Sequence, residues 1–155
     1  MDLCNLSVIK SLMQDAGITF RKEFGQNFLT NRMIPEDIAD NCTDSAESLI
    51  IEVGPGIGCL TQELALRYKK VVAVEIDKGL IPILDKTLSE YDNVTVLNQD
   101  IMQTDIQELV DRYSGGLPVS VCANLPYYIT TPILMRLLES GVHFNSITVM
   151  VQNEV

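Results

Sequence analysis

The sequence of 155 residues lacks the features that would hold a metal ion or a disulfide framework. It has one histidine, His143, and its four cysteines (Cys4, Cys42, Cys59 and Cys122) show no paired spacing. We therefore expect reduced core or surface thiols, with no metal site and no disulfide set.

The N-terminus has no long apolar run. Residues 1–17 alternate polar and apolar side chains, which predicts an amphipathic helix rather than a signal peptide. The sequence therefore predicts a soluble cytoplasmic protein with no membrane partner.

Basic residues are scarce, because 11 Lys+Arg stand against 21 Asp+Glu and the formal net charge is −10. RNA binding rests on the neutralisation of phosphates, so this composition alone predicts a poor RNA binder. Arg21, Lys22 and Arg32 cluster beside the site inferred below and are candidates for a phosphate contact. Such residues are more often solvated surface.

The chain alternates between predicted helices and strands over a single domain of residues 1–155, with 46% apolar content and no internal repeat. Strands are predicted near 49–53, 71–75, 94–97, 119–122 and 146–151, and helices near 6–16, 32–42, 58–68, 79–90, 105–113 and 131–140. Right-handed crossovers between such strands give an α/β fold, a doubly wound Rossmann-like parallel sheet in the order 3-2-1-4-5.

Prolines mark several predicted helix starts. Pro35 and Pro82 fit in first helical turns. Thr131-Pro132 is predicted to be the N-cap and first turn of the last helix, and Gly141 its stop.

The segment Asn124-Leu125-Pro126-Tyr127 follows an apolar run that is typical of a buried strand. It is predicted to be an active-site loop at the edge of the sheet where ligands bind in open α/β folds. An amide, a backbone carbonyl exposed by the following proline, and an aromatic face suit a flat base that carries an NH2 group. On local grounds alone, the same residues also favour an ordinary turn.

These residue types fit methyl transfer to an exocyclic amine. The lone pair of adenine N6 is delocalised into the ring, so an enzyme must draw the nitrogen toward a tetrahedral form. Asn124 Oδ1 and the Leu125 carbonyl could accept from its two N–H bonds, which stabilises the transition state without a general base. Tyr127 could stack on the base, a contact worth ~1–3 kcal/mol.

A cofactor site is predicted on the preceding strands. Gly54, Gly56 and Gly58 form a turn after the first strand, where glycines let a ligand approach the backbone closely. Glu75 ends the second strand about 20 residues after Gly54, the interval at which an acid can bind ribose hydroxyls. Asp100 follows the third strand and could accept from an adenine amino group.

Other acids have simpler interpretations. Asp77 and Asp105 are expected to be helix caps. Glu52 lies inside an apolar run and is expected to be structural, or linked through water to the cofactor's amine. Cys59 occupies the position where a dinucleotide-binding turn would need its third small residue, so the spacing favours S-adenosylmethionine over NAD.

Taken together, these segments resemble the ribosomal RNA adenine N6,N6-dimethyltransferase family. That family methylates small-subunit ribosomal RNA, and its relatives include the macrolide-resistance methylases that act on large-subunit RNA. The similarity covers nearly the whole chain through residues 22–29, 52–61, 74–77, 99–101, 124–133 and 150–155. The first of these segments, Lys22-Glu23-Phe24-Gly25-Gln26-Asn27-Phe28-Leu29, is similar to the family's N-terminal signature.

The resemblance implies S-adenosylmethionine-dependent N6,N6-dimethylation of adenines in small-subunit ribosomal RNA, as part of ribosome biogenesis. The catalytic segment would be Asn124 to Tyr127, with Leu125 and Pro126 between them. The residues implied for cofactor binding are Gln26, Asn27, Leu29, Gly54, Gly56, Gly58, Glu75, Ile76, Asp100, Ile101 and Asn124.

Members of that family continue past the equivalent of Val155 with two further strands and a helical domain that helps to hold RNA. We therefore expect an incomplete catalytic domain, poorly active by itself. The predicted strand at residues 146–151 has no charge and no proline, so its exposed edge is expected to favour self-association.

Other functions stay open. A large-subunit methylase of the macrolide-resistance type, or a methylase of DNA or of a small amine, would share the cofactor half. A nicotinamide oxidoreductase is disfavoured by the glycine spacing. A non-catalytic ribosome-assembly or transcription-related factor could keep the same fold without turnover.

Overall fold

The computed structural model describes residues 1–18 and 31–152. In these ranges the helices are α1 (Leu6–Asp15), α2 (Met33–Asp40), α3 (Cys59–Arg67), α4 (Ile81–Thr87), α5 (Ile106–Tyr113) and α6 (Tyr127–Glu139). The strands are β1 (Leu49–Val53), β2 (Lys70–Glu75), β3 (Val94–Asn98), β4 (Val119–Pro126) and β5 (Ser146–Gln152). Short 3-10 turns at Lys78–Leu80 and Ile101–Gln103 follow β2 and β3.

The five strands form one parallel sheet in the order β3-β2-β1-β4-β5, so the predicted α/β topology is confirmed. The central strands read as continuous apolar runs because helices cover both of their faces. All five residues of β1 are buried. Val53 pairs with Val74 of β2 and with Ala123 of β4, so these strands end at one edge of the sheet.

The core has three parts. The largest packs β1, β2 and β4 against α5 and α6. A second packs α2 and α3 against the opposite side of β1, β2 and β4. The third packs α1 and α4 against Ile57 and Cys59, which belong to the predicted cofactor turn and the start of α3. This last cluster brings the N-terminal helix directly onto the candidate site.

The region around Pro126 differs from its prediction. β4 does not end at residue 122 but continues to Pro126, because Asn124, Leu125 and Pro126 pair with β5. The proline therefore removes a backbone donor without breaking the strand, and the predicted catalytic segment is the end of β4 and the first residue of the next helix rather than a loop.

The start of the last helix was also predicted wrongly. α6 begins at Tyr127, so Thr131 is not its N-cap and Pro132 lies inside the helix. The buried positions Thr130, Ile133 and Leu137 keep one face of α6 on the core through this proline. Tertiary packing therefore outweighs the local preference of proline for a first turn.

Prolines and capping side chains determine where several other helices begin. Pro35 and Pro82 do lie in first helical turns. The helix predicted at 79–90 is divided into the turn Lys78–Leu80 and α4, because the Asp77 side chain caps that turn by accepting from Gly79 N at 2.9 Å. Asp105 caps α5 by accepting from Glu108 N at 3.1 Å, so the capping interpretation of both acids is confirmed.

Candidate active site

The ends of β1 to β4 carry the candidate site along one edge of the sheet. Gly54 N donates to the Val74 carbonyl at 3.0 Å, and Gln99 N donates to the Glu75 carbonyl at 3.1 Å. These bonds extend the strand pairing by one step beyond β1 and β3. The glycine turn, the acid at the end of β2 and the polar residues after β3 therefore lie side by side.

All three glycines of the turn have positive φ, Gly54 +73°, Gly56 +60° and Gly58 +99°, but the surroundings of Gly56 and Gly58 differ. A Cβ at Gly58 would lie 2.8 Å from Thr87 Oγ1, whereas a Cβ at Gly56 would meet nothing within 4 Å. Gly58 is thus required for packing against α4, and Gly56 faces open space that a ligand could approach. Thr87 also donates to the Ile57 carbonyl at 2.8 Å, which fixes the turn.

Glu75 joins the end of β2 to the glycine turn. Its side chain is 5% exposed; Oε1 accepts from Gly56 N at 3.1 Å and Oε2 accepts from Asp77 N at 2.9 Å. Burial raises the pKa of Glu75, and the two backbone hydrogen bonds oppose that rise. An ionised carboxylate offers about four lone-pair positions, so these two bonds leave acceptor capacity for hydroxyl groups.

Asp100 begins the turn after β3. Its Oδ1 accepts from Met102 N at 2.9 Å and so caps the 3-10 turn Ile101–Gln103. The two isoleucines predicted at this site differ in their surroundings. Ile76 is 66% exposed beside Glu75, whereas Ile101 is buried in the main core. An exposed apolar side chain at a polar edge suits contact with a flat ring, and of these two isoleucines Ile76 is the one that is exposed.

Asn124 has an unsatisfied acceptor. Its Oδ1 is buried and has no hydrogen-bond partner among the described residues. A buried polar atom left unpaired costs about 1–3 kcal/mol, so native structures seldom retain one without a purpose. Tyr127, three residues later at the start of α6, leaves 67% of its surface exposed.

Glu52 lies beneath this edge on β1, where it is 1% exposed and accepts a short hydrogen bond from the Thr61 hydroxyl. Burial raises the pKa of Glu52 to about 8; the bond from Thr61 lowers it and the neighbouring charge of Glu75 raises it. The sequence indicated a buried carboxylate that needs partners. It did not single out Thr61, or Thr87 behind the glycine turn, because neither contact leaves a periodic signal.

Several of the residues predicted at or beside the site are not part of this arrangement. Gln26, Asn27 and Leu29 lie outside the described residues, as do Arg21 and Lys22. Arg32 is the third member of the predicted basic cluster. Its guanidinium forms an ion pair with the Asp2 carboxylate at 2.6 Å.

A separate open cleft of about 490 Å³ lies between β3 and α5. It meets the site only at Gln99 and Asp100, and its other lining residues come from α5, the preceding turn and Leu97. Charges of both signs, from Asp105, Glu108 and Arg112, line it, so it presents no single ligand chemistry.

Residues 1–18 and 31–152 contain no cluster of three or more His, Cys, Asp or Glu side chains placed to hold a metal ion. No helix in these ranges is long and apolar enough to cross a membrane.

A parallel sheet in the order 3-2-1-4-5, with a glycine turn after β1 and acids at the end of β2 and after β3, defines a Rossmann-like α/β fold, the class to which nucleotide-cofactor enzymes such as methyltransferases belong. Within that class, the chain belongs to the family described as ribosomal RNA adenine dimethylase, whose sequence model matches residues 17–155.

The chain is also similar to curated proteins whose name is consistent with this family. The chain is 49% identical over 156 residues to ribosomal RNA small subunit methyltransferase A of Streptococcus pneumoniae serotype 2; the match covers 100% of the chain and 54% of that protein. The chain thus spans about half the length of the curated relatives it matches.

Solved structures show the same relationship. The 23S rRNA methyltransferase ErmE has a TM-score of 0.64 at 29% identity, over 79% of this chain and 46% of that one. A dimethyladenosine transferase from Plasmodium falciparum has a TM-score of 0.63 at 27% identity, over 79% and 42% of the two chains.

Proposed function

We propose that this chain binds S-adenosylmethionine and takes part in the N6,N6-dimethylation of adenines in small-subunit ribosomal RNA. The observation that carries the proposal is the buried, unpaired Oδ1 of Asn124 at the ligand-binding edge of the sheet. An N–H or O–H donor is the partner that this acceptor lacks, and the amino group of an adenine is one such donor. Family membership and the name of the 49%-identical relative support the same substrate.

The residues at the edge fit the cofactor. The remaining lone pairs of Glu75 are suited to ribose hydroxyls, and Asp100 to an adenine amino group, because Oδ1 alone forms the cap. The open space at Gly56 admits a ligand against the backbone, between Gly54 and Gly58. When bound, S-adenosylmethionine supplies an electrophilic methyl group.

Side-chain and backbone contacts complete the proposed cofactor site. Ile76 would pack on the adenine ring, and Ile101, whose side chain is buried, would contribute through its backbone. Gln26, Asn27 and Leu29 are proposed for the methionine end on the resemblance alone.

The proposed chemistry at the target base uses the end of β4. Asn124 Oδ1 and the Leu125 carbonyl accept from the two N–H bonds of adenine N6, which favours the tetrahedral nitrogen of the transition state. Pro126 fixes the backbone between strand and helix, and Tyr127 stacks on the base. A neutral amide cannot hold the released proton, which leaves to solvent.

Cofactor binding can be tested with a matched pair of caps. Asp100→Ala and Asp105→Ala each remove a side chain that caps a turn or helix. Only Asp100→Ala should weaken S-adenosylmethionine binding, by roughly 10- to 100-fold, since one hydrogen bond to a charged acceptor is worth ~1.5–3 kcal/mol. Glu75→Ala should weaken it similarly, with folding monitored because the same carboxylate holds the glycine turn.

Calorimetric titration measures these affinities, with NAD as the competing cofactor. Equal binding by wild type and Asp100→Ala would remove the proposed adenine contact. Binding of NAD in place of S-adenosylmethionine would show that the chain is a nicotinamide enzyme on this fold.

Methyl transfer is measured with unmodified small- and large-subunit RNA. Asn124→Ala should lower transfer by roughly 100-fold or more while affecting cofactor affinity much less. Tyr127→Phe should be mild because the ring still stacks, and Tyr127→Ala severe. Tyr128→Ala is the matched control, since the neighbouring ring is 73% exposed.

The substrate preference separates the related functions. The similarity to ErmE makes large-subunit RNA the alternative substrate, and faster transfer to that RNA would replace the present proposal. Near-wild-type turnover by Asn124→Ala would remove Asn124 from the mechanism. RNA binding without any transfer would indicate a non-catalytic assembly or transcription-related factor.

A further inference from the structure

Two thiols that are distant in sequence face each other beside the glycine turn. Cys4 Sγ lies 4.0 Å from Cys59 Sγ, across 55 residues of sequence. Cys4 is half-buried, and Cys59 is 5% exposed. The separation is a non-bonded contact, about 2 Å longer than a disulfide bond.

The two thiols belong to different parts of the fold. Cys4 precedes α1, and Cys59 is the first residue of α3, directly after Gly58 of the turn. The side chains around Cys59 form the cluster of Leu3, Ile9, Leu12, Met13, Ile57, Leu80 and Ile83. A covalent bond here would hold α1 against the turn.

The remaining cysteines provide an internal comparison. Cys42 and Cys122 are both fully buried, at 0% exposure, in the core between β4 and α2. Reagents in solution therefore reach Cys4 before either of them, because thiol reactivity requires access. Burial raises the pKa of the Cys59 thiol, so Cys59 reacts second.

We propose that Cys4 and Cys59 are a modification site: a dithiol that a small-molecule disulfide converts to an intramolecular disulfide, locking α1 onto the glycine turn. The Cys4 thiolate attacks the reagent's S–S bond, forms a mixed disulfide and releases one thiol. Cys59 then loses its proton to solvent and attacks the Cys4 sulfur, releasing the second thiol. Two protein thiols are oxidised, and one reagent disulfide is reduced to two thiols.

This inference rests on the contact between the two sulfur atoms and not on the proposed methyl transfer. Oxidation closes a loop of more than 50 residues, and a disulfide of that span raises the unfolding temperature by roughly 5 to 10 °C for a domain of this size. Dithiothreitol should reverse both the bond and the shift.

The test treats the folded protein with oxidised glutathione, counts free thiols and maps disulfide-linked peptides by mass spectrometry. We expect two of the four thiols to be lost, a peptide linking Cys4 to Cys59, and the rise in unfolding temperature. Cys4→Ser should abolish the link and the rise. A stable glutathione adduct on Cys4 with Cys59 still free, four unreacted thiols, or a link that includes Cys42 or Cys122 would each overturn the proposal.

Discussion

Replacing Glu52 by glutamine should stabilise the chain at neutral pH but not in mild acid. The Glu52 carboxyl is 1% exposed, and burial raises its pKa to about 8 while the neighbouring charge of Glu75 adds to the rise. Glutamine has nearly the same shape and keeps an oxygen that can accept from Thr61. The substitution therefore removes the ionisation of the unfolded chain and keeps a neutral side chain of similar shape in the folded one.

The size of the stability change follows from the difference between the pKa of Glu52 in the folded chain and in the unfolded chain. The ordinary pKa is 4.5 and the folded value is about 8, so between them the folded chain keeps a proton that the unfolded chain has lost. The stability that the protonated Glu52 carboxyl contributes is therefore fully present below pH 4.5. It is lost as the pH rises through about 8. The slope is about 1.4 kcal/mol per pH unit, or ~3 kcal/mol between pH 5 and pH 7.5.

Urea unfolding at several pH values measures this difference. The stability of Glu52→Gln relative to wild type should grow by up to ~3 kcal/mol from pH 5 to pH 7.5 and then level off above pH 8. Glu108→Gln, on the exposed side of α5, is the control for loss of a negative charge. A Glu52→Gln difference that stays constant with pH would show that Glu52 is ionised in the folded chain, which refutes the burial argument.

Three other substitutions test the glycine turn and the outer strand β5. Gly58→Ala should destabilise the fold by ~2 kcal/mol or more, because its Cβ would meet Thr87 Oγ1 at 2.8 Å. Gly56→Ala, with open space at the same turn, should cost only ~1 kcal/mol for its positive φ, and equal losses in thermal unfolding would contradict this contrast. Val151→Lys should weaken the predicted self-association through β5, because Val151 is 43% exposed on that strand. Light scattering measures the association, and a wild-type mass that does not change with concentration would disprove it.

The strand order could be predicted because its signals are local. Buried parallel strands read as continuous apolar runs, and the glycine turn and the acids mark where β1, β2 and β3 end. Once right-handed crossovers are assumed, few topologies remain. The candidate site follows from the same rule, since ligands bind at the carboxyl ends of such strands.

The details that could not be predicted depend on contacts between distant segments. Asn124 and Pro126 extend β4 because β5 lies beside them, and no local pattern reports that pairing. The hydrogen bond from Thr61 to Glu52 and the approach of Cys4 to Cys59 likewise join separate elements. In each case, the sequence identified one partner as unusual and could not identify the other.

Asn124 gives the sharpest test of whether this edge is built for a ligand or for folding. Its Oδ1 is buried without a partner in the described part of the chain, and an acceptor left without any donor costs about 1–3 kcal/mol. Asn124→Ala removes that cost together with a few packing contacts, and we expect the free energy of unfolding to stay constant or to rise by about 1 kcal/mol. The same variant should lose methyl transfer, so stability and activity should separate at this residue. A loss of more than ~2 kcal/mol in urea unfolding would instead place Asn124 among the residues that hold the fold, since truncations that break native bonds typically cost that much.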